Sequence, residues 1–320
     1  MNSAWRITGS GVPLEMRNPA SRVWGTAMID HFAPCHHPLH IAIAAMRCGS
    51  FMPSAAPLIS LPAGDIHLWF CFHGKSGDAT QDAACRALLT PEELSKQNRF
   101  HFASDRYRYL LTRALVRSVL SRYAPVQPHA WRFATGPFGR PRIEAPTIEE
   151  TRGLDFNLSH TDGLIVLALA RNIELGVDVE NIERKAALDV ADHFFSPVEA
   201  EALRALPTAL QTARFFDLWT LKESYIKARG MGLQIPLDSF SFTLDNNNDG
   251  IEFALADSGT RDDTARPWHF WQLQPTREHF VALCAAPENL AATRIVCRET
   301  APLQWEKPLE LHARRTSAPN

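Results

Sequence analysis

Asp178 and Glu180 stand two apart in Leu175-Gly-Val-Asp-Val-Glu180, where Leu175, Val177 and Val179 alternate with the carboxylates. Period-two alternation belongs to a strand with one apolar face, so both carboxylates leave from the same side. Paired carboxylates of this kind suit a hard divalent cation, which wants oxygen ligands and keeps places for water or substrate phosphate. An Asp-x-Glu pair is equally the wet face of a strand, and a third ligand has to separate the two readings.

Trp219-Thr-Leu-Lys222-Glu223-Ser224-Tyr-Ile-Lys227 is the second concentration of reactive residues. Glu223 and Lys227 are four apart and share a helix face, so a surface ion pair is the bland reading. Against it stands the choice of cation: only six of the 33 basic residues are lysines, and Lys222 and Lys227 bracket Glu223. A compact ammonium with a tunable pKa serves phosphate and proton transfer in a way a guanidinium does not. Gly230-Met-Gly232 then ends the helix. The third segment is Asn157-Leu-Ser159-His160. Adjacent Ser and His on an extended chain diverge, and there is no Gly-x-Ser-x-Gly elbow, so a hydrolase pair is excluded here.

Recognisable elements hold these segments. Ile66–Phe72 reads as a strand, and Thr90-Pro-Glu-Glu93 carries an N-cap, a Pro at N1 and a capping-box Glu. A helix over about 104–123 places Tyr107, Leu110, Leu111, Ala114, Leu115 and Val119 on one face, with Arg106, Arg113 and Arg117 read as a solvated face. Leu164–Ala170 is a continuous apolar run, as in a strand covered on both sides. Ser196-Pro-Val-Glu199, a helix over 213–229 and Phe280–Ala285 then echo cap, helix and strand. That loose duplication predicts two similar lobes, 66–172 and 173–286, joined near Arg171–Glu174. Residues 1–65 read as a poorly structured extension or a misassigned start, and 287–320 as a tail. Cys35, His36, His37 and His40 match no standard zinc spacing.

Composition narrows the classes. A length of 320 residues with 45% hydrophobic and 21% charged residues is that of an ordinary globular chain. A net charge of −2 gives no global attraction for nucleic acid or an anionic membrane, so an anionic substrate must be met by a local cluster. The six cysteines contain no CxxC pair, and neither a spanning segment nor a secretory leader is visible, so a reducing cytoplasm is the expected setting.

With Gly139-Arg-Pro141, the segments Phe156–His160, Gly176–Glu180 and Trp219–Ser224 with Lys227 and Gly230–Gly232 resemble the 4′-phosphopantetheinyl transferases of the Sfp type across about residues 66–286. The resemblance implies an α+β fold of two similar lobes related by a pseudo-twofold. It implies transfer of the phosphopantetheine arm of coenzyme A to a serine of an apo acyl or peptidyl carrier protein, with adenosine 3′,5′-bisphosphate released. By the same resemblance Asp178, Glu180 and Glu223 hold Mg²⁺, Lys227 contacts the reacting phosphate, and Glu223 doubles as the base. Lys96, Arg99, Thr112, Arg140, Ser159, His160 and Lys222 bind coenzyme A, with Arg99 and Arg140 standing where the family often has lysine.

The expected protein is a monomer whose partners are coenzyme A and a carrier, with no nucleic acid and no membrane; some of the arginine-rich helix is read as facing an acidic carrier. Other Mg²⁺-dependent phosphotransferases are disfavoured because the chain has no Gly-x-x-x-x-Gly-Lys-[Ser/Thr] loop. A silent coenzyme A or carrier-binding relative is expected to have lost one of Asp178, Glu180, Glu223 or Lys227, and all four are present.

Overall fold

The alternation of apolar residues along β1 (Asp65–Phe72), β4 (Leu154–Thr161), β5 (Leu164–Arg171) and β6 (Glu174–Asn181) is realised as two stacked sheets. The computed structural model describes residues 57–317 except 187, 245–248 and 257–266. Most of the expected N-terminal extension and its Cys35 and His36 cluster lie outside the described residues.

Helices cover the outer faces. α1 (Ala79–Arg86), α2 (Pro91–Arg99) and α3 (Ala103–Leu120) belong to the first half, with the expected capping box at Thr90 and Glu93 opening α2. After β2 (Arg132–Thr135) and β3 (Pro141–Ala145), the second half adds α4 (Ala191–Phe194), α5 (Pro197–Ala205) and the long α6 (Thr208–Arg229). The remaining strands are β7 (Phe240–Leu244), β8 (Ile251–Leu255), β9 (His269–Thr276), β10 (His279–Ala286), β11 (Arg294–Ala301), β12 (Trp305–Pro308) and β13 (Ala313–Thr316).

The first sheet runs β12-β11-β1-β5-β4 and the second β13-β9-β10-β6. Leu110, Leu111, Ala114 and Leu115 of α3 pack on Trp69, Cys71, Ile165 and Leu167. The alternate residues Leu68, Phe70, Val166 and Ala168 meet Leu175, Val177, Val179, Val281 and Leu283 of the second sheet. α6 covers that sheet's far side, giving the order helix, sheet, sheet, helix. β5 is buried on both faces, as its unbroken apolar run requires. The chain passes from β5 to β6, and so between sheets, through Asn172, whose φ is 53°.

Side chains stitch the two sheets at their edges. Asn157 Oδ1 accepts from the Val177 amide at 2.9 Å, and Thr161 Oγ1 accepts from the Asn181 amide at 3.3 Å. The spacing of four is the same on β4 and β6, so these side chains do the work that strand carbonyls do in a continuous sheet.

Two expectations are corrected. Arg113 and Arg117 of α3 are 4% and 1% exposed, not a solvated face. Arg117 Nη2 donates to Glu93 Oε2 at 2.9 Å, and its guanidinium lies over Phe133 while that of Arg113 lies over Tyr109. The carboxylate that caps α2 thus also draws the arginines inward, which removes them from any carrier-facing surface. The segment after 286 is not a tail either: β11 pairs in parallel with β1, and β13 pairs with β9. Arg314 and Arg315 of β13 both donate to Asp217 of α6, a carboxylate 3% exposed. The segment has no long apolar run, but its backbone supplies the ladder that two sheet edges need.

Removing Asp217 strands two guanidinium groups in a mostly dry setting. Asp217→Ala should lower unfolding free energy by about 3 kcal/mol in a urea titration, and deletion of residues 294–320 should leave no cooperative transition. A folded, wild-type-like deletion would contradict the strand assignment.

Candidate functional site

The geometry of the site starts from a residue with no side chain. Gly176, Asp178 and Glu180 lie on the face of β6 turned to α6, opposite the valines packed between the sheets. A Cβ at Gly176 would overlap the Ser224 carbonyl oxygen and the Ala228 nitrogen of α6. Gly176 therefore lets the helix backbone rest directly on the strand, which brings Glu223 and Lys227 down beside the two carboxylates.

Lys227 Nζ donates to Asp178 Oδ1 at 2.7 Å and to Ser159 Oγ at 2.9 Å, and Ser159 Oγ donates to Asp178 Oδ1 at 2.9 Å. Ser159 shares a β4 face with Asn157 and Thr161, so the stitching of the sheets is what delivers it. Glu180 is gripped by both terminal nitrogens of Arg184, at 3.1 and 3.2 Å, and accepts a hydrogen bond from Trp219. Glu223 is 4% exposed, and its Oε1 is buried without a hydrogen bond, as is Asp178 Oδ2.

Burial, then the charge of Asp178, pushes the carboxyls of both Glu180 and Glu223 up to about 8; Lys227 opposes the rise in both, and Arg184 in Glu180. Three carboxyl groups with two unpartnered buried oxygens and an all-oxygen donor set have the composition that a hard cation satisfies. Among the described residues no three such side chains are arranged around a single point; Lys227 takes Asp178 and Arg184 takes Glu180.

Five of the residues singled out in the sequence are therefore drawn together: Ser159, Asp178, Glu180, Glu223 and Lys227. The others stand elsewhere. Lys222 points away from this cluster and is fully buried. Its Nζ contacts Glu199 Oε2, Leu237 O and Phe240 O, each at 2.7 Å, so all three of its protons are spoken for. Burial lowers its pKa against the pull of Glu199, and Glu199 also caps α5 through Ser196. That geometry makes Lys222 a structural pillar and corrects its assignment to coenzyme A. Lys96, with its ammonium over the Tyr109 ring, and the exposed Arg99 lie on α2. Thr112 on α3 is buried and donates to Arg108 O at 2.8 Å. His160 alternates to the other side of β4 from Ser159, as adjacent strand residues must. Arg140 sits at the end of α6, where Nη1 donates to Lys227 O at 2.6 Å and Ala228 O at 3.0 Å.

Gly176, Arg184 and Asn157 belong to the site without having been picked out for it. The alternation Asn157, Ser159, Thr161 is a period-two polar face that the sequence does contain. Arg184 follows β6 in a turn, where no periodicity points to Glu180.

In the folded chain without a divalent cation, burial holds the Glu180 and Glu223 carboxyls up to about 8, far above the 4.5 of a free glutamate. The folded state then binds more protons than the unfolded one across that window, and stability falls as pH rises through it. Urea midpoints measured in chelator should drop from pH 5 toward about pH 8, and Glu223→Gln should flatten the slope; an unchanged slope in that variant would refute the assignment. Gly176→Ala should separate α6 from β6, seen as lost amide-exchange protection over residues 223–228.

Comparison with known proteins shows the family. A family model described as "4'-phosphopantetheinyl transferase superfamily" matches residues 174–284, and one described as "4'-phosphopantetheinyl transferase, N-terminal" matches residues 78–172. The 4′-phosphopantetheinyl transferase Sfp of Bacillus subtilis is 34% identical over 209 residues, 64% of this chain and 87% of Sfp. The transferase HetI of a Nostoc species is 35% identical over 178 residues, 55% of this chain and 73% of HetI. A phosphopantetheinyl transferase of a Thraustochytrium species is 31% identical over 242 residues, 71% of this chain and 81% of its own. With two adjoining family matches meeting at the turn between the sheets, and relatives covered over most of their length, the chain belongs to the 4′-phosphopantetheinyl transferase family, of the Sfp type.

Proposed function

We propose that the chain moves the 4′-phosphopantetheine group of coenzyme A onto the serine of an apo acyl or peptidyl carrier protein, releasing adenosine 3′,5′-bisphosphate. The observation that carries this reading is the convergence of Asp178, Glu180, Glu223 and Lys227 on one seam between β6 and α6, with Ser159 hydrogen-bonded into it. Two carboxyls raised by burial beside a lysine in one seam are the kind of perturbed cluster found at functional sites.

Asp178, Glu180 and Glu223 would hold Mg²⁺. Bound there, the ion would neutralise the diphosphate of coenzyme A and so stabilise charge in transfer. Lys227 is 10% exposed, and with two of its ammonium protons given to Asp178 and Ser159 the third is left for the phosphate at which bonds exchange. The carrier serine oxygen forms a bond to the phosphorus bearing pantetheine, the bond from that phosphorus to the oxygen of the departing adenosine bisphosphate breaks, and the serine proton passes to Glu223, directly or through one water. As a carboxylate within reach of the reacting serine, Glu223 can accept that proton. Ser159 fixes the direction of Lys227, and the dry seam keeps these charges strong. Lys96, Arg99, Thr112 and His160 remain the proposed binders of the nucleotide end, from the first-half helices and β4.

The working form is read as a cytoplasmic monomer. No helix among the described residues is long and apolar enough to cross a membrane, and Cys71, Cys85, Cys284 and Cys297 are free and buried. Burial pushes the Cys71 thiol up to about 12, so it is inert.

Incubation with coenzyme A, Mg²⁺ and apo carrier domains of several classes should add the mass of phosphopantetheine to the carrier serine. No gain on any carrier would overturn the reading. Glu223→Gln and Asp178→Ala should each reduce transfer by about a hundredfold to a thousandfold while the far-ultraviolet circular dichroism stays unchanged; full activity in either would remove that residue from the site.

A further inference from the structure

Glu180 is the carboxylate of the seam whose two oxygens are both held by one cation. Arg184 Nη1 lies 3.1 Å from Oε2 and Nη2 donates to Oε1 at 3.2 Å, a two-pronged match of guanidinium to carboxylate. The two residues are four apart, but the chain between them is a turn and not a helix, since β6 ends at Asn181. Asn181 Oδ1 accepts from the Glu183 amide at 2.9 Å, and Ile182 N donates to Glu278 O at 2.8 Å, which ties the turn to the loop between β9 and β10. The turn carries Arg184 back over Glu180. Its guanidinium also lies 5.5 Å from the centre of the Phe216 ring of α6, a fully buried shelf.

The other two carboxylates stand differently. Asp178 Oδ2 and Glu223 Oε1 are buried without a hydrogen bond, so each offers an oxygen that a hard cation can take without displacing a partner. Glu180 offers neither of its oxygens until Arg184 leaves. Leaving is easier for Arg184 than for Lys227: the Arg184 side chain is 46% exposed and springs from a turn, whereas Lys227 is 10% exposed, sits on α6 and is tied to both Asp178 and Ser159. A guanidinium already half in water returns to it by rotation about side-chain bonds, with no movement of strand or helix. Charge favours the exchange as well. With Arg184 gone, a divalent ion and Lys227 together balance the three carboxylates.

Resting on the transferase reading and its metal assignment, we propose that Arg184 is a stand-in for the divalent cation. It neutralises Glu180 and yields it when the ion arrives, so the affinity of the seam for the metal is set by how firmly Arg184 holds. A guanidinium that occupies Glu180 about nine times in ten lowers the apparent affinity about tenfold relative to a seam without it.

The probe is Mn²⁺, titrated into the full chain without coenzyme A or carrier and followed by loss of the free ion's electron paramagnetic resonance signal. Arg184→Ala should bind Mn²⁺ about tenfold more tightly than the wild-type protein. Arg184→Lys, whose single ammonium does not grip both oxygens, should fall between them. Lys185→Ala removes the exposed charge next along the chain and should stay within about twofold of wild type. Equal or weaker Mn²⁺ binding by Arg184→Ala would overturn the proposal, and so would an equal gain in Lys185→Ala, which would mark a general effect of charge. Mn²⁺ binding by neither the wild type nor Arg184→Ala would refute the metal assignment and the stand-in with it. Absence of transfer to any carrier, with the tenfold gain intact, would strike the transferase reading alone.

Discussion

The site depends on the contact between α6 and β6 at Gly176, where helix backbone meets strand backbone with no side chain between them. A helix normally rests on a sheet through a cushion of side chains from both. Removing the cushion at one point lowers the helix, and four charged groups that would otherwise be separated by a layer of apolar atoms share one seam. Their mutual electrostatics follows. Water is excluded, Glu180 and Glu223 are pushed up to about 8, and Lys227 becomes the natural counter-charge for Asp178.

Such a seam is costly, and the rest of the molecule supports it. Buried carboxyls without full hydrogen bonding destabilise the folded state, so the helix that carries one of them is anchored at several places. Asp217 near its middle is gripped by Arg314 and Arg315 of β13, Lys222 is pinned between Glu199 and two carbonyls, and Arg140 closes the last turn. On the other side, Tyr225 packs among Phe240, Phe253 and Trp268. The strand is anchored by Asn157 and Thr161 across the sheet edge. The ordinary role of a glutamate- and lysine-bearing helix face, a salt bridge in solvent, is replaced by one in which both lysines have assigned partners and Glu223 keeps an unpartnered buried oxygen.

Much of this was legible in the amino-acid order. The period-two pattern of 175–180 correctly sends the carboxylates to one face, the capping boxes at Thr90 and Ser196 start helices where they stand, and Gly230 ends α6. These features are local, settled by dihedral preference and side-chain direction within a few residues. The scarcity of lysine pointed to the right segment but did not separate its two lysines. Lys222 and Lys227 are five apart, so they leave the helix on different sides, one into a structural pocket and the other into the seam.

What only the tertiary structure decided involves long separations along the chain. Ser159 meets Lys227 across 68 residues, and Arg140 meets the end of α6 across 87. Arg314 reaches Asp217 across 97, which turns an apparent tail into part of both sheets. Arg113 and Arg117 read as solvated because periodicity reports only which side of a helix a residue leaves from; whether a carboxylate such as Glu93 waits there depends on how another helix is packed. The sequence by itself determined the elements and the chemistry available on each, since both follow from neighbours a few bonds away. Which charges face each other, and which are thereby neutralised, buried or left for a substrate, was settled by the packing of elements far apart in the chain.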